Sequence, residues 1–448
     1  MQKYADYTPA QAAWLDELPS HWQCTKIGAL FSERKSKVSD KDYAPLSVAR
    51  IGVVPQLATA VKTDAGDNRK LVCAGDFVIN SRSDRKGSCG VAKLDGSVSL
   101  INIVLTPRNG LSERYVHYLL RSQPFSEEYY RNGRGIVADL WTTRYSEMKS
   151  ILLPVPPREE QDQIVRFLDW KVSSINKLIN IKKKEIKAID ALKRSMVSHA
   201  ITRGLTTDAP MKDSGVKWLG DIPQRWYTVP LYAIAQVKSI NNCIDLPLMS
   251  VYLDAGVVPF VEREEKRTNA TSKDLTNYQR VDPGDFVLNN QQAWRGSVGV
   301  SFHSGIVSPA YIVLSLNNTL DSHYANYLFR SRCMVDQYLV ISRGVGSIQR
   351  NLYWSALKRV VVPIPSKKEQ MEIVEYLDGL SNKFDATIKK LTEEVAVLEE
   401  YKNKIIADTV TGKIDVRGIE IPEYEFVDED ADADNEDDGE EDTEEQED

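Results

Sequence analysis

Catalytic signatures are missing from this 448-residue chain. It has no G-x-x-x-x-G-K-[ST] to cradle a nucleotide phosphate, no G-x-G-x-x-G after a strand, no H-E-x-x-H and no G-x-S-x-G. An Asn/Asp-Pro-Pro-aromatic motif of the kind an amino-methyltransferase needs is absent too, because Pro156-Pro157 runs into Arg158. The five histidines (His21, His117, His199, His303, His323) are scattered without ligand spacing. The five cysteines (Cys24, Cys73, Cys89, Cys243, Cys333) show neither a pairing pattern nor metal spacing, so they read as reduced thiols of a cytoplasmic protein. No apolar run approaches the roughly 18 residues of a membrane span. Met1-Gln2-Lys3-Tyr4-Ala5-Asp6 lacks the apolar stretch of a secretory signal. Any chemistry is expected to come from a partner.

Positive charge looks scarce as well, with a formal net charge of −7. That number misleads, because residues 428–448 carry fifteen acidic side chains and no basic one, which leaves a body of +8. Such a segment cannot bury enough apolar surface to fold, so a disordered acidic C-terminal tail is expected over 415–448. A moderately basic body permits a polyanionic partner without demanding one.

What the chain does have, it has twice. Trp14-Leu15-Asp16-Glu17-Leu18-Pro19 followed by Trp22 returns 204 residues later as Trp218-Leu219-Gly220-Asp221-Ile222-Pro223 followed by Trp226, and Gly52-Val53-Val54-Pro55 returns as Gly256-Val257-Val258-Pro259. From Gly75-Asp76-Phe77-Val78 and Gly284-Asp285-Phe286-Val287 onward the shift is 209, so one five-residue insertion accounts for the difference. The chain is a tandem duplication.

Each copy ends in a long amphipathic stretch. Pro154-Val155-Pro156-Pro157-Arg158-Glu159-Glu160-Gln161 opens one that runs to Gly204, and Pro363-Ile364-Pro365-Ser366-Lys367-Lys368-Glu369-Gln370 opens one that runs to Gly412. Apolar residues step by four and three from Leu168 to Ala200 with Lys182 and Lys193 as misses, and from Leu377 to Ile405 with Ser381 and Lys402 as misses. That spacing predicts two helices, each with a narrow seam for a helical partner. Each is roughly 65 Å long at about 1.5 Å per residue, so the other copy is the natural partner. Antiparallel packing is expected, with a head at each end of the pair.

The expected fold class is therefore α/β, with two globular α/β heads joined by two long antiparallel helices in a pseudo-twofold duplication. The expected boundaries are a first head over 1–153, a first spacer helix over 154–204, a linker over 205–217, a second head over 218–362 and a second spacer helix over 363–414. Two similar heads at a fixed separation suit duplex DNA, whose half-sites recur at about one turn, roughly 34 Å.

Residues able to read bases lie in matched places. After the shared strand come Asn80, Ser81, Arg82, Arg85 and Lys86 in the first copy, and Asn289, Asn290, Gln291, Gln292 and Arg295 in the second. Arg pairs with guanine edges and Asn or Gln with adenine. A second loop carries Arg131, Arg134 and Arg144 in the first copy against Arg343, Ser347, Gln349 and Arg350 in the second, with glycines that let backbone approach phosphate. Relaxed surface loops would also keep a frame while changing content. Trp141 and Trp354 read as core residues more readily than as stacking platforms.

The Trp-Leu-Gly-Asp-Ile-Pro motif at 218–223, the Gly-Asp-Phe-Val strand in each copy and the Pro-x-Pro-x-x-x-Glu-Gln helix opening in each copy resemble the DNA-specificity subunit of type I restriction-modification systems. The similarity spans residues 10 to 415; Asp16 in place of the Gly220 equivalent and the acidic tail depart from the pattern. The resemblance implies two target recognition domains, each reading one part of a bipartite asymmetric site in double-stranded DNA. It also implies that the helices dock two methyltransferase subunits, which use S-adenosylmethionine to methylate adenine, and that restriction subunits add ATP- and Mg-dependent translocation and cleavage. This chain itself would be non-catalytic and hold no cofactor. A coiled-coil scaffold whose basic heads hold protein partners is the reading left standing beside it, and an unrecognised nuclease or methyltransferase the third.

Overall fold

The computed structural model describes residues 2–57, 66–82, 85–108, 110–135, 141–260, 274–345 and 349–427. Ser347 lies outside the described residues, as do Ser83, Asp84 and the acidic segment 428–448. The chain divides into two units: Met1–Lys183 with Thr392–Glu441, and Lys184–Leu391 with Asp442–Asp448. Each unit is one head, the first part of its own long helix and the last part of the other copy's helix.

In the first unit a four-stranded antiparallel sheet runs in the order Cys89–Val91, Phe77–Asn80, Asn102–Pro107, Phe31–Glu33. Successive residues of a strand point to opposite faces, and here both faces are covered. Phe77, Ile79, Ile103 and Leu105 join the core formed with the helices, while Val78 and Val104 join a smaller core with Leu46, Val72 and Val98. The second unit repeats the alternation: Phe286, Leu288 and Leu314 face the helical core, and Val287 and Val313 the small one. Its sheet order is Ala235–Val237, Tyr311–Leu316, Asp285–Asn289, Val298–Val300. Helices and strands mix as expected, and among the described residues every pair of named strands is antiparallel.

The Gly-Asp-Phe-Val motif is an anchor for that sheet. Gly75 and Gly284 turn at φ +89° and +93°, a region favouring glycine, and set the following aspartate inward. Asp76 is 1% exposed and accepts from Arg34 Nε at 2.7 Å, Arg34 Nη2 at 3.1 Å, Thr106 Oγ1 at 2.7 Å and the Cys73 N–H at 2.9 Å. Its carboxylate raises the Arg34 pKa above the ordinary guanidinium range. Asp285 instead accepts from Lys238 and from the Asp282 N–H at 2.8 Å, and Lys238 also donates to Asp282 at 2.7 Å.

Two short helices, Glu113–Arg121 and Ser322–Arg330, recur at the same place in the two copies, with Ser112 and Asp321 as N-caps. Each is followed at once by a second, unforeseen helix, Gln123–Arg131 or Arg332–Ile341. The long helices are Arg158–Arg203 and Lys367–Val410, and the Pro-x-Pro segments before them are strands, Leu152–Val155 and Val361–Ile364. The helices therefore begin four residues later than expected. The glutamine of each opening motif fastens helix to head. Gln161 donates to the Pro156 carbonyl at 2.9 Å and accepts from the Ser112 N–H at 2.9 Å. Gln370 donates to the Pro365 and Thr319 carbonyls at 3.0 Å and accepts from the Asp321 N–H at 2.7 Å.

Within each unit the two helix parts run antiparallel. In the first, Lys402 donates to Asn176 Oδ1 at 3.3 Å and Lys182 pairs with Glu394; in the second, Lys193 pairs with Asp385 at 2.6 Å. These are the lysines that interrupt the apolar seams. Their stems cover apolar surface while the ammonium groups meet acceptors on the facing helix.

Two expected boundaries change. Met211–Asp213, inside the expected linker, pairs with Asp221–Pro223 just as Tyr7–Pro9 pairs with Glu17–Pro19, so it belongs to the second head. The tail, expected from residue 415, is packed as far as Val427. Val416 is fully buried, Gln163 donates to the Val416 and Ile419 carbonyls at 3.0 and 2.8 Å, and Asn176 donates to the Val427 carbonyl at 3.3 Å. Acidic residues alternate with Ile419, Ile421 and Phe426 here, and the apolar set supplies what the following acidic run lacks.

Candidate nucleic-acid interface

In the first head the two sequence-distant loops meet. Arg82 and Arg134 both bridge to Thr142, Arg134 and Thr142 exchanging backbone hydrogen bonds of 3.0 Å, and the Thr143 N–H donates to the Ser81 carbonyl at 3.0 Å. The Tyr130 hydroxyl donates to the Arg85 carbonyl at 3.2 Å, and the Trp141 Nε1–H to the Tyr130 carbonyl at 2.8 Å. Arg82, Arg85, Arg134 and Arg144 are exposed on this joined surface. Arg144 heads the short helix Tyr145–Met148, its N–H donating to Glu147 Oε2 at 3.2 Å. The Ser146 hydroxyl holds the Glu147 carboxyl below the usual carboxylate range.

Not every expected reader faces outward. Asn80 and Ser81 are buried, and Asn80 Oδ1 accepts from the Arg82 N–H at 3.1 Å, so these two shape the loop rather than present polar atoms to a ligand. Lys86 is paired with Glu127 at 2.5 Å and lies 5.7 Å from the Tyr130 ring centre. Arg131 is paired with Glu128 at 2.5 Å. These acids were not anticipated, because they belong to the unforeseen second helix.

The second head repeats the frame. The Leu352 N–H donates to the Asn290 carbonyl at 2.9 Å, the counterpart of Thr143 to Ser81, and Arg343–Val345 pairs with Gln349–Asn351 as a hairpin. Asn289 Oδ1 accepts from the Gln291 N–H at 3.2 Å, as Asn80 does for Arg82. Asn290 is turned inward, its Oδ1 enclosed with no hydrogen-bond partner among the described residues. Gln291, Arg295 and Arg343 are exposed; Asn289, Gln292 and Arg350 are half-buried. A single turn, Ala293–Arg295, closes on Gly296 at φ +111°, with Ala293 buried beneath it. Trp294, which sequence reasoning passed over, lies on this turn, with the Arg295 and Arg350 guanidiniums 4.8 and 5.9 Å from its ring centre. Trp141 and Trp354 are half-buried, Trp354 against the helical core.

A duplicated scaffold that holds two pairs of cation-rich loops in one frame, with different contents, defines a tandem recognition protein. Residues 223–397 match the type I restriction modification DNA specificity domain. The type I restriction enzyme MjaVIII specificity subunit of Methanocaldococcus jannaschii is 23% identical over 428 residues, 90% of this chain and 95% of its own length. A second protein of that organism, provisionally named a type I restriction enzyme MjaX specificity subunit, is 26% identical over 434 residues, 90% of this chain and 96% of its own. A solved chain from work on complex assembly and conformational transition of the type I R-M system shares the fold, with a TM-score of 0.62 at 15% identity over 89% of this chain and 99% of that one. Over nine-tenths of its length the chain is thus similar to type I restriction enzyme specificity subunits.

Proposed function

We propose that this chain is the sequence-reading, non-catalytic subunit of a cytoplasmic type I restriction-modification complex. Each head reads one part of a bipartite, asymmetric site in double-stranded DNA. The observation that carries this reading is the matched loop pair: one backbone frame occurs in both heads, while every side chain of 81–86 differs from its counterpart in 290–295. Arg82, Arg85, Arg134 and Arg144 face the first part of the site, and Gln291, Gln292, Arg295, Arg343 and Arg350 the second, some on base edges and some on phosphate.

The long helices dock two methyltransferase subunits and act as the ruler for the unread gap, since each is continuous and contributes to both units. S-adenosylmethionine, ATP and Mg belong to the methyltransferase and restriction subunits. Selection from a randomised duplex library by the complex with its methyltransferase subunits tests the reading. A split, asymmetric motif is expected, with affinity that falls steeply as salt rises, by a log–log slope of about −0.9 per phosphate neutralised. Binding indifferent to both sequence and salt would leave a protein scaffold instead.

A further inference from the structure

We propose that Trp294 is a positioning residue: its indole holds the Arg295 and Arg350 guanidiniums as one plate that reads guanine in the part of the site facing the second head. This rests on the DNA-reading function above and deepens it.

The plate is built from both loops. Ala293 is fully buried, and Gly296, in the left-handed region, ends the turn that carries Trp294. The Trp294 Nε1–H, the indole's only donor, is spent on the Gln291 carbonyl at 2.8 Å, which fixes the ring's orientation. Arg295 comes from the same turn; Arg350 comes from the hairpin that the Leu352-to-Asn290 hydrogen bond ties to it. Among the described residues neither arginine forms an ion pair. In the first head the position of Trp294 is held by Arg85 and that of Arg295 by Lys86, which is paired with Glu127.

A guanidinium over an aromatic face keeps its N–H groups at the edge of its plane, where they can donate outward. Two parallel N–H bonds from such an edge match O6 and N7 of guanine in the major groove, a match that neither adenine nor thymine offers. Stacking also removes side-chain freedom before DNA arrives, so less is lost on binding. Trp294 itself makes no base contact in this account; it acts through the two arginines.

The test uses the full chain in complex with its methyltransferase subunits, selecting from a randomised duplex library, with Trp294→Ala, Trp294→Phe and the double variant Arg295→Ala/Arg350→Ala. Native protein yields a split motif. Trp294→Ala is expected to lower guanine preference roughly tenfold, the scale of two cation–π contacts, at one or two positions of one part only, with the other part unchanged. Trp294→Phe retains most of the preference, and the double variant abolishes it at the same positions. Substituting 7-deazaguanine there should reproduce the loss with native protein. The proposal is overturned if Trp294→Ala keeps the full preference, or if it weakens all sequences alike with a shallower salt slope, which would assign the arginines to phosphate. If native protein selects no motif, it is the DNA-reading function that fails.

Discussion

Lys86 and Arg295 occupy the same place in the two copies, 209 residues apart, and meet different fates. The lysine is tied to Glu127, a residue of its own head, whereas the arginine rests on an indole without an ion pair among the described residues. Around them the flanking backbone bonds recur, Asn80 N–H to Ser88 and Thr143 N–H to Ser81 as Asn289 N–H to Ser297 and Leu352 N–H to Asn290, while the turns between close differently. The duplication thus separates two jobs that a single copy would blur. Frame residues are spent on the fold, and recognition falls to the cations left over.

The largest expected difference between the copies lies under the sheet. Asp76→Ala strands Arg34 and the Cys73 N–H and should cost about 3–5 kcal/mol, as for a buried pair losing one member. Asp285→Ala should cost less, because Lys238 keeps Asp282 at 2.7 Å. Hydrogen exchange through denaturant unfolding, resolved by unit, measures both; equal losses would show that the two anchors are interchangeable.

The helix openings differ next. Glu160 accepts from Tyr4 at 2.6 Å, His21 at 2.7 Å and Trp22 at 3.1 Å, and it helps to push the Tyr4 hydroxyl pKa far up, after burial. Its counterpart Glu369 accepts from Arg225 at 2.7 Å, whose side chain is 59% exposed and can rehydrate. Glu160→Ala should therefore cost about 2–4 kcal/mol in the first unit, and Glu369→Ala at most about 1 kcal/mol in the second. The same exchange measurement decides; the reverse order would break the comparison.

Arg295→Ala sharpens the contrast between the loops. It should remove about 1–3 kcal/mol of discrimination at bases facing the second head only, whereas Lys86→Ala should leave discrimination intact. Binding to duplexes altered in one part of the site at a time reads both. The smallest expected effect concerns residues 415–427, which only the first unit carries. Val416→Ala should destabilise that unit by about 1–2 kcal/mol through lost apolar burial and leave hydrogen exchange in the second unchanged.

Much of the frame is legible in the sequence. A Gly-Asp turn followed by an apolar run marks the Phe77–Asn80 and Asp285–Asn289 strands, and spacing by threes and fours marks both long helices. The second short helices were not legible, because Pro124 reads as a breaker although it sits at the first turn, where its missing N–H costs nothing. Val340 is 75% exposed, so Arg332–Ile341 lacks a clean apolar face. The partners of Glu160 lie 138 to 156 residues away along the chain, and Ser112, which ties Gln161 to the head, lies 49 away, relations no local pattern carries. The site was legible as loops, not as side chains. Asn80 and Ser81 have the chemistry of readers, but the strand end that bears them points inward, and Trp294 gained its role only when the hairpin brought Arg350 beside it.

Methylation mapping of the host genome, with and without this gene, tests the central claim most directly. The account predicts adenine methylation at a split, asymmetric motif that vanishes when the gene is removed, and whose second part alone loosens with Arg295→Ala. An unchanged map, or a motif that is continuous and palindromic, would contradict it.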